Sequence, residues 1–362
     1  MTQPYPGLTF EPTQSLTPAA ERQALLENPA FGKVLTDHMV TIHHSAEQGW
    51  HGARLAARQD FNFAPSTTVL HYGLEIFEGL KAYRQAGGGV ALFRPQANAR
   101  RFAHSARRLA MPPLPEALFV ESVKALAHLD QDWIPSTDAA SLYLRPFMIA
   151  TDQTLALKPA GDCLYSVIAS PVGPYFQGSG AVSLWVSDNY SRAAPGGTGD
   201  AKCGGNYAAA MLAQLEASAQ GCDQVVFLDA VERRWVEELG GMNVFFVFDD
   251  GSLQTPPLSG TILAGITRDS IIQLARSQGL TVREERYDIG QWQADAQSGR
   301  LVEAFACGTA AVVTPIGQVR GNRFDFAIGN GGAGEVTAML KGALLDIQYG
   351  RAEDPFGWRV VI

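Results

Sequence analysis

Residues 171–180 (PVGPYFQGSG) constrain this chain more than any other stretch. They mix proline and glycine without an apolar period, so neither helix nor strand propagates through them. They part the 362 residues into two halves, each with strand-like and helix-like patterns of its own. About 150 residues is an ordinary domain size, and an apolar content of 46% supplies a core to each half. The economical organisation is two α+β domains: a small one over 1–176, a linker over 177–186 and a large one over 187–362. A cleft between domains is a favoured seat for a small molecule.

The first 65 residues read as irregular, with prolines at 4, 6 and 12 and one strand over 39–44. Strand-like runs follow at 67–72, 80–84 and 90–93, the last two separated by the glycine turn 87–89. Helical patterns cover 96–110 and 115–129, divided by Pro112-Pro113, and buried strands are expected over 141–150 and 164–169. In the second half the spacing predicts a helix with Tyr207, Met211, Leu212 and Leu215 on one face, and helices over 267–278 and near 290–296. Strands are expected over 182–186, 224–228, 234–238, 244–248, 281–285, 302–306 and 310–315. A last helix carries Val336, Met339, Leu340, Ala343, Leu344 and Ile347 at i, i+3, i+4, i+7 spacing.

Composition excludes several classes. A formal charge of −8 offers nothing to release phosphate counterions or bind an anionic bilayer, so nucleic acid and membranes are not expected partners. No run reaches the ~20 apolar residues of a membrane span, and 1–20 lacks the basic and apolar regions of a secretion signal. The expected location is the cytoplasm. Cys163, Cys203, Cys222 and Cys307 form no C-x-x-C pair, and all seven histidines stand at or before His128. No metal site and no disulfide framework are expected.

Three constellations carry chemistry. Lys202 stands among small residues in Gly196-Gly-Thr-Gly-Asp-Ala-Lys-Cys-Gly-Gly-Asn-Tyr207, where a ligand can approach the backbone closely. Desolvation in such a place lowers an amine's pKa and makes it a nucleophile. Glu237 and Glu238 are adjacent on a strand, so one of them points inward and needs a cationic partner there. Gly260–Thr267 runs into a helix whose first N–H groups hold anions. Cys307-Gly-Thr-Ala310 adds a hydroxyl in a turn, and Arg94–Arg101 supplies cations at a helix start. A nucleophilic lysine, a buried acid and several anion holders describe a pyridoxal phosphate site. By contrast, Gly329-x-Gly331-x-x-Gly334 has too little chain after it for a βαβ dinucleotide unit and reads as a loop before the last helix.

The motifs His71-Tyr-Gly-Leu-Glu-Ile-Phe-Glu-Gly-Leu-Lys-Ala-Tyr83, Leu142-Tyr-Leu-Arg-Pro146, Lys202-Cys-Gly-Gly-Asn-Tyr207, Glu238-Leu-Gly-Gly-Met-Asn243 and Phe305-Ala-Cys-Gly-Thr-Ala310, with Leu92-Phe-Arg-Pro95, resemble those of the bacterial branched-chain amino acid aminotransferases. The resemblance runs from about Phe31 to Tyr349. It implies an α+β, two-domain, fold-type IV pyridoxal phosphate enzyme with its active site in the interdomain cleft, working as a homodimer. The implied reaction moves the amino group of Leu, Ile or Val to 2-oxoglutarate in a ping-pong cycle.

The same resemblance implies that Lys202 bonds the cofactor and shuttles the proton, that Glu238 pairs with the pyridinium nitrogen and that Tyr207 bonds O3′. Arg101, rather than Arg100, joins Thr309 and the backbone of Ile266 and Thr267 around the phosphate, with Leu263 against the ring. Phe31, Phe77, Tyr143 and Tyr175 form the apolar substrate pocket; Gly241 and Ala310 offer N–H groups to the substrate carboxylate, with Tyr72 and Arg145 nearby. Ala311-Val-Val-Thr314 stands where animal relatives carry a redox C-x-x-C, so that thiol control is expected to be absent. A D-amino-acid aminotransferase or an aminodeoxychorismate lyase is the alternative within the fold, and a non-catalytic binding protein the alternative outside it.

Overall fold

The computed structural model describes residues 7–137, 140–173 and 180–362. The chain divides into two compact units: Met1–Tyr175 with Ala201–Gly204 and Ile347–Ile362, and Phe176–Asp200 with Gly205–Asp346.

The first unit is built on a sheet ordered Thr9–Glu11, Gly49–Ala57, His38–Ser45, Cys163–Val172, Ser141–Ala150, Leu80–Arg84, Val90–Phe93, Arg359–Val361, with Glu75–Phe77 also pairing Ser141–Ala150. All neighbours are antiparallel except the first pair. Helices Pro95–Arg108 and Glu116–Leu129 cover it, and the rings of Phe102, Phe119 and Tyr165 meet at centroid distances of 5.3–6.1 Å. Such aromatic clusters add specific edge and tilted contacts to the area they bury.

The second unit holds a sheet ordered Val236–Leu239, Gln224–Leu228, Val182–Val186, Val312–Arg320, Leu301–Gly308, Asn243–Phe248, Leu253–Thr255, Val282–Glu284, with Asp325–Ala327 on Val312–Arg320. Its central strand Asn243–Phe248 is buried along its whole length, which is why it reads as a continuous apolar run. Trp292 seals that face against Phe246 at 4.8 Å.

The strands over 141–150 and 164–169 and the two helices before them form as expected, the second strand extending over Cys163–Val172. Three expectations are corrected. The β-branched run at 67–72 is a short helix, Val69–Tyr72, closed by Gly73 at φ +58°, a left-handed conformation that stops the chain from extending. The first 65 residues hold the helix Ala19–Glu27 and the strands Thr9–Glu11 and Gly49–Ala57 besides the expected strand. The single helix after Lys202 is two, Gly204–Ala208 and Met211–Ala219. Its inward face is Ala210, Ala213 and Ala217, while Met211, Leu212 and Leu215 are exposed. The expected strand over 182–186 forms as Val182–Val186, within the span expected as linker, of which 177–179 lie outside the described residues.

Two stretches of the block 187–362 fall in the first unit, Ala201–Gly204 and Ile347–Ile362. Ala201 and Cys203 bury in the core of the first unit, and Arg359–Val361 pairs with Val90–Phe93 there. Trp358 fixes that return, accepting the Arg94 N–H at 2.7 Å through its carbonyl and packing on Phe93 at 5.6 Å.

Candidate active site

Within the first unit, Ala201-Lys-Cys203 alternates: Ala201 and Cys203 are 1% and 4% exposed, and Lys202 between them is only half-buried. Both sides of the segment are pinned. The Phe77 N–H donates to the Lys202 carbonyl and the Lys202 N–H donates to Ser105 Oγ, each at 2.9 Å. The Gly204 N–H donates to Glu75, and a Cβ at Gly204 would lie 1.9 Å from Glu75 Oε1, so a side chain there would push the Glu75 carboxylate aside. Lys202 Nζ stands 4.7 Å from the Phe77 ring centroid, a cation–π distance.

Beside it lies Glu78, fully buried. Its carboxylate accepts Arg101 Nε–H at 2.7 Å and Arg101 Nη2–H at 2.8 Å, Asn98 Nδ2–H at 2.7 Å and the Gly79 N–H at 3.1 Å. Burial alone would raise this carboxyl, but the charges of Arg101 and Lys202 and the Arg101 and Asn98 hydrogen bonds outweigh it and hold it below its usual range. Arg101 sits midway along Pro95–Arg108 rather than at the helix start expected for it. It faces inward while Arg100 is exposed.

Arg145 lies 4.8 Å from the Phe77 ring and 5.3 Å from that of Tyr143, and donates to Tyr143 Oη at 3.1 Å. Phe31 meets Tyr143 edge-on at 4.9 Å. Burial raises the Glu75 carboxyl above its usual range, against the Gly204 N–H and the Arg145 charge. Tyr72 is exposed, its hydroxyl donating to the Leu155 carbonyl. Tyr175 lies outside the described residues.

Within the second unit Glu238, 2% exposed, is the inward member of the glutamate pair. Arg192 Nη2 reaches its Oε2 at 2.8 Å. The Leu263 N–H at 2.8 Å and Asn243 Nδ2 at 3.0 Å donate to Oε1. Arg192 is itself held by the carbonyls of Gly199 and Thr261. Glu237 points the other way, accepts the Thr261 hydroxyl at 2.5 Å and is raised by burial.

Helix Ile266–Ser277 begins at Gly265 with no side-chain cap. A Cβ at Gly265 would fall 1.9 Å from Asn243 Oδ1, so the N-terminal turn that starts with Ile266 and Thr267 lies close against Asn243. Thr309 and Ala310 are half-buried in the turn between Leu301–Gly308 and Val312–Arg320. That turn ends in Val312 at φ +58°, a costly conformation for a β-branched residue of the kind retained at functional turns. Tyr207 lies in the short helix Gly204–Ala208, 3.3 Å from where a Cβ of Gly241 would be.

These groups suit pyridoxal phosphate. A half-buried lysine suits the aldehyde, a buried carboxylate paired with Arg192 suits a protonated ring nitrogen, and a helix start without a side-chain cap suits a phosphate. The partners Arg192, Asn243, Glu78, Asn98 and Ser105 were not assigned from sequence. Glu78 and Asn243 lie inside the motifs quoted for the resemblance, so a demand that every buried charge find a partner would have drawn attention to them.

A profile of the amino-transferase class IV family matches residues 75–319. The chain is 53% identical over 355 residues to a probable branched-chain-amino-acid aminotransferase of Streptomyces coelicolor, covering 98% of each chain. It is 51% identical over 358 residues to the branched-chain-amino-acid aminotransferase of Mycolicibacterium smegmatis, covering 97% of each. Its structure matches that of the T.th. branched-chain amino acid aminotransferase with pyridoxamine 5′-phosphate at a TM-score of 0.75 and 30% identity, over 89% of this chain and 98% of that one. The chain therefore belongs to the class IV amino-transferases, with their fold-type IV architecture. Within that class it is a branched-chain amino acid transaminase that works with pyridoxal phosphate.

Proposed function

We propose that the two sets of residues serve one cofactor and that Lys202 is the catalytic group. Bound pyridoxal phosphate supplies an electron sink for the carbanion formed at the substrate's Cα. With that group bound, Lys202 Nζ would carry the proton between that carbon and the cofactor's C4′. Glu238, paired with Arg192, would meet the protonated ring nitrogen. Tyr207 bonds O3′, and Leu263 packs on the ring. Arg101, Thr309 and the N–H groups of Ile266 and Thr267 hold the phosphate. Phe31, Phe77, Tyr143 and Tyr175 receive the apolar side chain. The N–H groups of Gly241 and Ala310 receive the substrate carboxylate, with Tyr72 and Arg145 nearby, and Arg145 helps accommodate the second carboxylate of glutamate.

The observation that carries this reading is the alternation at Ala201-Lys-Cys203, which buries both neighbours and turns one lysine outward on a segment pinned at each end. Lys202→Ala is expected to abolish both turnover and the visible absorbance of bound cofactor; a variant transaminating at the parent rate moves the role to another lysine. A substrate-swap assay with 2-oxoglutarate, following glutamate, is expected to give turnover with Leu, Ile and Val and little with D-alanine.

The enzyme is further proposed to be a cytoplasmic homodimer. Exposed Met211, Leu212 and Leu215 on one short helix form an apolar patch of the kind that marks a self-association face. No helix among the described residues is long and apolar enough to cross a membrane. Light scattering is expected to give twice the 38.9 kDa chain mass, and a monomer at micromolar concentration would overturn the dimer.

A further inference from the structure

We propose that Glu78 is the positioning residue that sets Arg101 for the cofactor's phosphate. Its backbone is fixed first: strand Glu75–Phe77 pairs Ser141–Ala150, and the next N–H, that of Glu78, donates to the Pro146 carbonyl at 2.7 Å. The side chain is then surrounded by donors. Arg101 approaches edge-on and gives Nε–H to one oxygen and Nη2–H to the other, the bidentate geometry that fixes a guanidinium in plane as well as in place. Asn98 and the Gly79 N–H converge on Oε2, so the carboxylate cannot rotate without losing three bonds.

Five N–H groups belong to a guanidinium. Nε–H and one Nη2–H face Glu78, and the Nη1–H/Nη2–H end of the same group has the shape of a second fork that matches phosphate. Without Glu78 the long side chain has many rotamers, and holding one of them falls on the phosphate itself, at the expense of affinity. The cost of this arrangement is that Glu78 offsets Arg101's charge. What it contributes is direction, and direction distinguishes a phosphate ester from the same ring without it. The proposal rests on the reading that Arg101 holds the phosphate.

Glu78→Gln is the informative change. An amide replaces one oxygen by a donor, and the arrangement that keeps Nη2, Asn98 and Gly79 satisfied turns the amide nitrogen against Arg101 Nε–H. One arm of the fork is then lost while volume is kept. Dissociation constants of pyridoxal 5′-phosphate and of unphosphorylated pyridoxal are to be measured by absorbance on the enzyme freed of cofactor, for the parent, Glu78→Gln, Arg101→Ala and the double variant. Expected are an affinity for pyridoxal phosphate about 10- to 100-fold weaker in Glu78→Gln, roughly the worth of one charge-assisted hydrogen bond, unchanged affinity for pyridoxal, and no further loss when Glu78→Gln is added to Arg101→Ala. Equal losses for both ligands would show Glu78 acting through Lys202 or through the fold, and would overturn the proposal. So would additivity in the double variant. If Arg101→Ala weakens pyridoxal phosphate binding and Glu78→Gln does not, only the positioning role fails. If Arg101→Ala itself costs nothing, the phosphate role of Arg101 fails with it. Should Glu78→Gln not fold, Asn98→Ala, which removes one donor from Oε2, decides by the same two ligands, with a smaller selective loss expected.

Discussion

Arg192 Nη2 lies 2.8 Å from Glu238 Oε2, with the two side chains 5% and 3% exposed. A carboxylate this deep remains charged only where a cation meets it, and two N–H donors satisfy its other oxygen. Removing one partner of a buried pair costs about 3–5 kcal/mol, because the other is left charged in a medium of low polarity. Arg192→Met is therefore expected to lower unfolding stability by about that amount in urea titrations and to slow transamination severely. Arg192→Met with Glu238→Leu is expected to recover most of the stability and none of the rate. If the double variant regains activity, Glu238 has no part in the chemistry.

Tyr143 and Gly79 give a test of the substrate pocket. A Cβ on Gly79 would lie 2.0 Å from Tyr143 Oη, so Gly79→Ala displaces the ring that Phe31 and Arg145 both touch. Specificity for a branched side chain turns on ~1–3 kcal/mol per methylene. Gly79→Ala is expected to raise KM for leucine about tenfold, a comparable free energy. An unchanged KM would remove Tyr143 from the pocket.

Much of this was legible in the sequence, and what was not has a common cause. Strands rich in β-branched and aromatic residues, such as Asn243–Phe248, and the helix Glu116–Leu129 declare themselves locally. So does the inward glutamate, because alternation along a strand is a local rule. Its partner does not: Arg192 stands in Ser191-Arg-Ala-Ala-Pro195, where no neighbour marks it as buried. Thr67–Tyr72 misled because β-branched residues suggest a strand, whereas the left-handed Gly73 makes a turn of helix. The apolar stripe Met211, Leu212, Leu215 misled for a different reason: small alanines, not large side chains, fit against the sheet there. The return of Ala201–Gly204 to the first unit follows from packing between distant segments, which no window of sequence shows.

Lys81 predicts a pH dependence of stability. It is 5% exposed on strand Leu80–Arg84, and burial brings its amine down from 10.5 to about 8. Between those values the unfolded chain binds a proton that the folded chain does not, so stability rises with pH through this window and the penalty is greatest below it. A displacement of this size corresponds to about 3 kcal/mol. Lys81→Met is expected to stabilise the protein at pH 7 by up to about this much and by little at pH 10.5. Urea titrations of both proteins between pH 7 and 10.5 measure it, and parallel curves would show that Lys81 is already neutral or is compensated when charged.

The last helix, Glu335–Gln348, supplies a test of the glycine motif before it. Its first N–H groups are occupied: Glu303 accepts from Val336 N–H at 3.0 Å, from Thr337 N–H at 2.8 Å and from the Thr337 hydroxyl at 2.6 Å. A carboxylate from the neighbouring strand thus sits where a dinucleotide fingerprint would place a pyrophosphate. Gly334 is glycine because a Cβ there would fall 2.1 Å from Glu303 Cδ, and Gly329, at φ +52°, because a Cβ there would fall 2.4 Å from the Val302 carbonyl oxygen. Glu303→Ala is expected to cost about 1–2 kcal/mol, the worth of a helix cap, with the Tm falling accordingly. Gly334→Ala is expected to cost at least as much, because the cap must move away to make room. Millimolar NAD or ATP is expected to leave the Tm of the parent protein unchanged. A rise on adding either, lost in Gly334→Ala but not in Lys202→Ala, would make the motif a nucleotide site and Glu303 its displaceable occupant.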